Sequence, residues 1–231
     1  MMEQFGIQEV YGMHNMPGIP TGQIALRPGP MMASADFFEI TITGVGAHGA
    51  FPHEGIDPLL IGSEIVMALQ RVVSRSTNPM HQAVVSVTQF HAGHTTNVIP
   101  ETAVLSGTTR AFLPQVQDMM EREMKRIAEG IAAAHGAKVE FVYDRRYPPT
   151  INTEAETEKA AAAAAVVVGA ENVRQDLSPV MGAEDFAWML QSKPGCYVWV
   201  GNGTGERGGC MVHNPNYDFN DEVLPIGASY W

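Results

Sequence analysis

Residues 36–43 alternate apolar and polar side chains, with Phe38, Ile40 and Ile42 set against Glu39, Thr41 and Thr43. That period of two predicts a half-buried strand. A glycine-rich loop at 44–55 follows. Asp57-Pro58 then opens a helix, because Asp caps free amides and Pro suits the first turn. Ile61, Ile65, Leu69 and Val72 recur on one helical face, and Asn78-Pro79 stops the element. Residues 83–90 form a β-branched strand, and residues 98–112 another after a loop at 93–97. Leu113-Pro114 begins a second amphipathic helix, whose inner stripe is Val116, Met120, Met124, Ile127 and Ile131. Gly136 suits its C′ position, and 138–143 is the last strand. The order β-α-β-β-α-β is the split βαβ arrangement, which predicts an α+β, ferredoxin-like unit with two helices on one face of four strands.

The flanks carry different patterns. Residues 9–14 are β-prone and turn at Pro17-Gly18-Ile19-Pro20; residues 23–26 read as a strand closed by Pro28-Gly29-Pro30. After Pro148-Pro149, Thr153 and Glu156 match a capping box ahead of an Ala-rich helix at 154–168, ended by Gly169. Gly182-Ala183-Glu184-Asp185-Phe186 leads into a short helix, 196–200 is an apolar strand, and Pro225-Ile226-Gly227-Ala228 looks like the start of a helix. The two flanks read as pieces of one α/β domain, so the expected division is 1–34, 35–147 and 148–231.

Composition narrows the function classes. A hydrophobic content of 45% against 17% charged residues excludes a disordered chain. A formal net charge of −11, with no basic stripe, argues against a nucleic-acid partner. The longest apolar run, 160–168, is too short to span a bilayer. The N-terminus has no secretory pattern, and the two cysteines, Cys196 and Cys210, make no CxxC pair. The expected setting is cytoplasmic, with no membrane partner.

Candidate chemistry is thin residue by residue. His14, ending the first β-prone run, and His213, in Val-His-Asn-Pro, are each more often hydrogen-bonded structure than ligands. The loop from His48 to His53 can present an imidazole outward or serve as a plain turn. Arg110 lies inside a β-run, where it needs a carboxylate partner or a wet edge, and it is the usual fork for a substrate carboxylate.

The combination is more specific. Tyr-Gly-Met-His-Asn-Met-Pro at 11–17, Gly-Val-Gly-Ala-His-Gly-Ala-Phe-Pro-His at 44–53, Asn-Val-Ile-Pro at 97–100, Gly-Ala-Glu-Asp-Phe at 182–186 and His-Asn-Pro-Asn-Tyr-Asp-Phe-Asn-Asp at 213–221 occur in this order around the βαββαβ unit. Over essentially the whole chain this resembles the M20 family of metallopeptidases and amidohydrolases, and most of all its N-acyl-amino-acid amidohydrolase branch with the hippurate hydrolases. The resemblance implies an α/β catalytic domain, here partial, with an inserted ferredoxin-like lid that mediates homodimerisation. It implies a divalent-metal cofactor, two ions per complete site, with zinc, manganese or nickel left open. By motif, His14 and His213 are implied metal ligands. His48 reaches from the lid, typically the partner subunit's, to stabilise an oxyanion. Asn97 and Arg110 hold the substrate, an N-acyl amino acid, and Glu184 lies near it.

Two family motifs are absent from the sequence: a Cys-Gly-His ligand motif upstream of Gly-Met-His-Asn, and a Glu-Glu pair supplying a base and a ligand. The chain therefore reads as a fragment truncated at an internal methionine, lacking its final helix and impaired as a metal-dependent hydrolase. A non-catalytic dimerisation or binding module retaining the lid fold is the alternative.

Overall fold

Residues 2–231 are described by a computed structural model, in which the chain divides into two units. One unit comprises the stretches up to Met32, Thr150–Val180 and Glu184–Trp231, and the other Ala33–Pro149 with Met181–Ala183.

The second unit follows its hydrophobic pattern closely. Strands Ala35–Thr43, Ala83–Ala92, Thr102–Ala111 and Lys138–Tyr147 form one antiparallel sheet. Across it the order is Ala83–Ala92, Thr102–Ala111, Ala35–Thr43, Lys138–Tyr147. Helices Pro58–Arg71, continued by a π-helical stretch Val72–Ser76, and Pro114–Ala134 cover one face. Asp57 caps the first helix by accepting from the amides of Leu59 (2.9 Å) and Leu60 (3.3 Å). Gly136, at φ +74°, ends the second. The amide of Gly136 donates to Ala133 O and that of Ala137 to Ala132 O, a Schellman closure. Ile61, Ile65, Leu69, Met120 and Met124 from the helices meet Ile40, Ile42 and Leu105 from the sheet in a core without solvent access. Gly44 must be glycine, since a Cβ there would lie 2.1 Å from Ile56 O.

Residues 98–112 are not one strand. Pro100 lacks an amide for a continuous ladder, and the chain breaks into Val98–Ile99 and Thr102–Ala111. The short piece pairs instead with Ala47–His48, inside the expected glycine-rich loop.

In the first unit, Val10–Pro17 runs parallel to Gly195–Gly203, which pairs antiparallel with Ile24–Ala25. Val173–Arg174 completes the sheet beside Ile24–Ala25. Every residue of Gly195–Gly203 is buried, as expected of a strand covered on both faces. Cys196, Val198 and Val200 pack with Ala160 and Ala164 of the Glu154–Val168 helix and Val223 and Tyr230 of the Val223–Tyr230 helix. Tyr197 and Trp199 face the other way, with Phe186, Met31 and Met32. Pro28-Gly29-Pro30 does not close a strand but enters one: Gly29–Met32 pairs antiparallel with Thr150–Asn152. The capping box at Thr153 does not form either. Its amide donates to Gly195 O (3.0 Å), and its hydroxyl oxygen accepts from Gly195 N (2.9 Å), tying the helix entry to the central strand. Glu156 accepts from the Thr153 hydroxyl instead of reaching back to an amide.

Candidate functional site

His14 lies near the carboxyl end of Val10–Pro17, and its parallel neighbour Gly195–Gly203 ends at the same side before the loop that carries His213. The space beyond the carboxyl ends of parallel strands is where α/β sheets bind ligands. His14 Nδ1 lies 2.5 Å from Asn15 O. A carbonyl can only accept, so Nδ1 donates its proton there, which in the neutral ring leaves the lone pair on Nε2, a tautomer suited to a metal ligand. A cavity of about 430 Å³ opens beside it, lined by His14, Asn15, Val200, Phe219 and Val223 among others.

His213 is the one non-glycine residue with positive φ (63°) among the described residues. Such a conformation persists only where neighbours fix it, and it marks candidate functional positions. Here the loop is pinned by buried amides. Asn202 Nδ2 donates to Gly208 O (3.0 Å) and Asp218 O (3.2 Å), and Asn220 Nδ2 to Thr21 Oγ1 (3.0 Å) and Asn202 O (3.1 Å). Asn15, next to His14, donates through its side chain to the Tyr217 hydroxyl, four residues past His213. The two histidines thus belong to segments joined by a hydrogen bond. Among the described residues, no group of three His, Cys, Asp or Glu side chains is placed to hold a metal ion.

Glu184 is half-buried in the same unit and accepts from the Tyr197 hydroxyl and from Asp185 N (3.0 Å). Burial, together with the Glu184 carboxylate, pushes the Tyr197 phenol well above its ordinary value, so it stays a donor. Tyr197 stacks on Phe186 at 5.4 Å, and both rings lie against Gly12. A Cβ on Gly12 would come within 2.8 Å of Tyr197 Cδ2 and 2.9 Å of Phe186 Cδ2. The glycine of Gly-Met-His-Asn is therefore the floor on which Gly-Ala-Glu-Asp-Phe rests.

His48, Asn97 and Arg110 belong to the second unit. His48 and Asn97 are neighbours: His48 pairs with Val98, and Gly49 N donates to Asn97 O (2.8 Å). His48 is exposed, and its Nδ1 accepts from Ala50 N (3.1 Å), which leaves the ring proton on Nε2 as a free donor. Thr95 donates to Asn97 Oδ1 (3.1 Å) and leaves the Asn97 amide nitrogen available. Arg110 stands elsewhere. It lies on the helix-free face of Thr102–Ala111, half-buried, opposite Val84, and no hydrogen bond or ion pair engages its side chain among the described residues. Thr102, at the His48 end of that strand, is eight residues away, about 27 Å at about 3.4 Å per residue. Asn97 and Arg110 are therefore not brought together within one chain.

Sequence reasoning did not single out Tyr197 or Asn202, and it met Asn220 only as a member of the 213–221 motif, without a role. Nor did it find Asp36, a buried carboxylate bound by Gln117 Nε2 (2.7 and 2.9 Å), Tyr143 Oη (3.0 Å) and Thr109 Oγ1 (3.3 Å). Desolvation raises its pKa against those donors. An Asp at the polar start of an alternating strand was the only available signal.

The family described as Peptidase family M20/M25/M40 matches residues 1–231. N-acetylcysteine deacetylase of Bacillus subtilis (strain 168) is 40% identical over 227 residues, covering 98% of this chain and 58% of that protein. Hippurate hydrolase of Campylobacter jejuni is 33% identical over 231 residues, covering 100% of this chain and 59% of that protein. Among solved structures, the Bacillus subtilis YXEP protein, described as a dinuclear metal binding peptidase from the M20 family, superposes with a TM-score of 0.78 at 34% identity, over 99% of this chain and 58% of that one. An aminobenzoyl-glutamate utilization protein from Klebsiella pneumoniae shares the fold, with a TM-score of 0.69 at 22% identity over 84% of this chain and 50% of that one. The chain spans little more than half the length of the curated relatives it matches.

Proposed function

This chain belongs to peptidase family M20/M25/M40, and on that footing we propose that it carries part of a metal-dependent amidohydrolase acting on N-acyl amino acids. The observation that carries the reading is His14, held by its own backbone in the ligand tautomer at the carboxyl end of a parallel strand pair. The relatives named as an N-acetylcysteine deacetylase, a hippurate hydrolase and an IAA-amino acid hydrolase point the same way.

His14 fits a divalent metal, and His213 lies in a segment fixed next to it. Among the described residues the donor set stops short of the three protein ligands that a catalytic zinc site needs. The 231 residues alone are therefore proposed to bind such an ion weakly and to turn over poorly. When bound, a divalent metal polarises an amide carbonyl and lowers the pKa of water. The chain's own contribution is to present His14, to fix Glu184 through Tyr197, and to offer a carboxylate-binding fork at Arg110. His48, with its proton on Nε2, is suited to donate to a developing oxyanion.

The second unit is proposed to be the ferredoxin-like lid that mediates homodimerisation, within the division 1–34, 35–147 and 148–231. The separation of His48 and Asn97 from Arg110 supports this reading. A substrate a few ångströms long that meets Arg110 of one copy meets His48 and Asn97 only of another. No helix among the described residues is long and apolar enough to cross a membrane, and the free thiols of Cys196 and Cys210 agree with a cytoplasmic setting.

The test is calorimetric titration of the chain with Mn²⁺, Zn²⁺ and Ni²⁺, together with release of glycine from N-benzoylglycine. Binding that His14→Ala weakens, with slow metal-dependent turnover, is expected. Absence of both metal binding and turnover would leave the non-catalytic dimerisation module, which the lack of a three-donor group favours. Light scattering that gives a strict monomer at micromolar concentration would remove the role of His48 in a second copy.

A further inference from the structure

The helix-free face of the second unit's sheet carries a groove of about 510 Å³ that none of the assigned residues uses. Phe37 and Val142 stand in it on adjacent strands, 38% and 49% exposed. The Arg146 guanidinium lies 4.4 Å over the Phe37 ring and also pairs with Asp144 (2.7 Å), which holds the ring in place. The threonines of the lining contribute less polarity than their number implies. Thr108 donates its hydroxyl to Asp36 O (2.8 Å), and Thr88, the extra residue of a bulge, donates to Ser106 O (3.4 Å). The groove therefore sets an apolar pair, Phe37 and Val142, beside polar lining that includes Glu39, which stands opposite Val142.

Arg110 shares this face. It lies two residues beyond Thr108 on the same strand, about 7 Å away along it, and among the described residues no side-chain partner occupies it. We propose that the groove is the subsite for the amino-acid side chain of an N-acyl amino acid whose carboxylate pairs with Arg110, and that Phe37 and Val142 select an apolar or aromatic side chain there. This rests on the substrate class proposed above. The chemistry of the ligand decides which end is held. Carboxylate and side chain leave the same carbon, whereas the acyl group lies across the amide. A groove beside the carboxylate fork therefore reads the amino acid, not the acyl group. Its volume lies within the range of small-ligand sites.

The experiment titrates the intact 231-residue chain with N-acetyl-L-phenylalanine, N-acetylglycine and N-benzoylglycine, following binding by ¹⁵N-resolved NMR. The expected result is that Phe37→Ser weakens N-acetyl-L-phenylalanine about tenfold and leaves the two glycine ligands unchanged, while Arg110→Ala weakens all three. Val142→Thr, of nearly the same shape, repeats the first effect in smaller measure, so the conclusion does not hang on one variant's folding. If Phe37→Ser affects all three ligands alike or none, while Arg110→Ala still weakens all three, the subsite is wrong and the amidohydrolase reading stands. If none of the three binds, both fall together.

Discussion

The two units of this chain solve the problem of buried polar groups in opposite ways. The Ala33–Pro149 unit buries a carboxylate, Asp36, and surrounds it with an amide and two hydroxyls. In the other unit lie all four buried side-chain atoms left without a partner among the described residues: Gln23 Oε1, Arg27 Nε, Thr150 Oγ1 and Trp199 Nε1. Orphaned buried polar atoms cost stability. The contrast teaches that the self-consistent unit is the one whose strands and helices are local in sequence. The unit carrying His14, Glu184 and His213 is assembled from distant pieces and holds strain at His213.

The contrast breaks most sharply in the cores. Leu105→Ala removes a side chain with no solvent access from the second unit and is expected to cost about 2–5 kcal/mol. Amide exchange should speed throughout that unit's sheet while the Gly195–Gly203 strand keeps its protection; loss of protection in both would mean one cooperative block. Gly12→Val forces a methyl-bearing carbon against Tyr197 and Phe186 and is expected to cost about 1–3 kcal/mol. The near-ultraviolet signal of the stacked rings should fall in that variant, with the second unit's exchange unchanged.

Smaller effects sharpen the comparison. Asp57→Ala removes the cap of the Pro58–Arg71 helix and should lower stability by about 1 kcal/mol in urea denaturation. The smallest effect is a pH slope at Asp36. Burial raises its folded pKa above the ordinary 3.8, against the hydrogen bonds of Gln117, Tyr143 and Thr109 and the nearby Arg145 charge. The folded state therefore keeps this proton over a window in which the unfolded chain has lost it. Its contribution is most favourable below pH 3.8, declines as pH rises through that window, and is flat above the raised value. The urea midpoint of the wild type relative to Asp36→Asn should fall with rising pH over that window, and parallel curves would refute the assignment.

Much of the second unit was legible in the chain itself. The stripe Ile61, Ile65, Leu69 and Val72, the Asp57 cap and the Gly136 terminator lie where the periodicity places them, because each depends on neighbours within a few residues. The break at Pro100 was visible as a proline, but the pairing of Val98–Ile99 with Ala47–His48 was not, since it joins segments some fifty residues apart. At the candidate site, the motif histidines stood out by residue type. The tyrosine that holds Glu184 and Asn202 of the His213 loop had no local pattern to mark them, and Asn220 was visible only as a member of the 213–221 motif.

The sequence alone determined the elements, their caps, the family resemblance and the kinds of side chain offered for chemistry. Period, punctuation and residue type are local properties, and they survive without coordinates. Only the tertiary structure decided that Gly12 is a floor for Tyr197 and Phe186, that His14 spends its Nδ1 proton on Asn15, and that Arg110 stands a strand's length from His48. Register and separation are set by contacts between residues far apart in the chain, and the tautomer by the direction of a neighbouring backbone carbonyl, which residue type alone does not give.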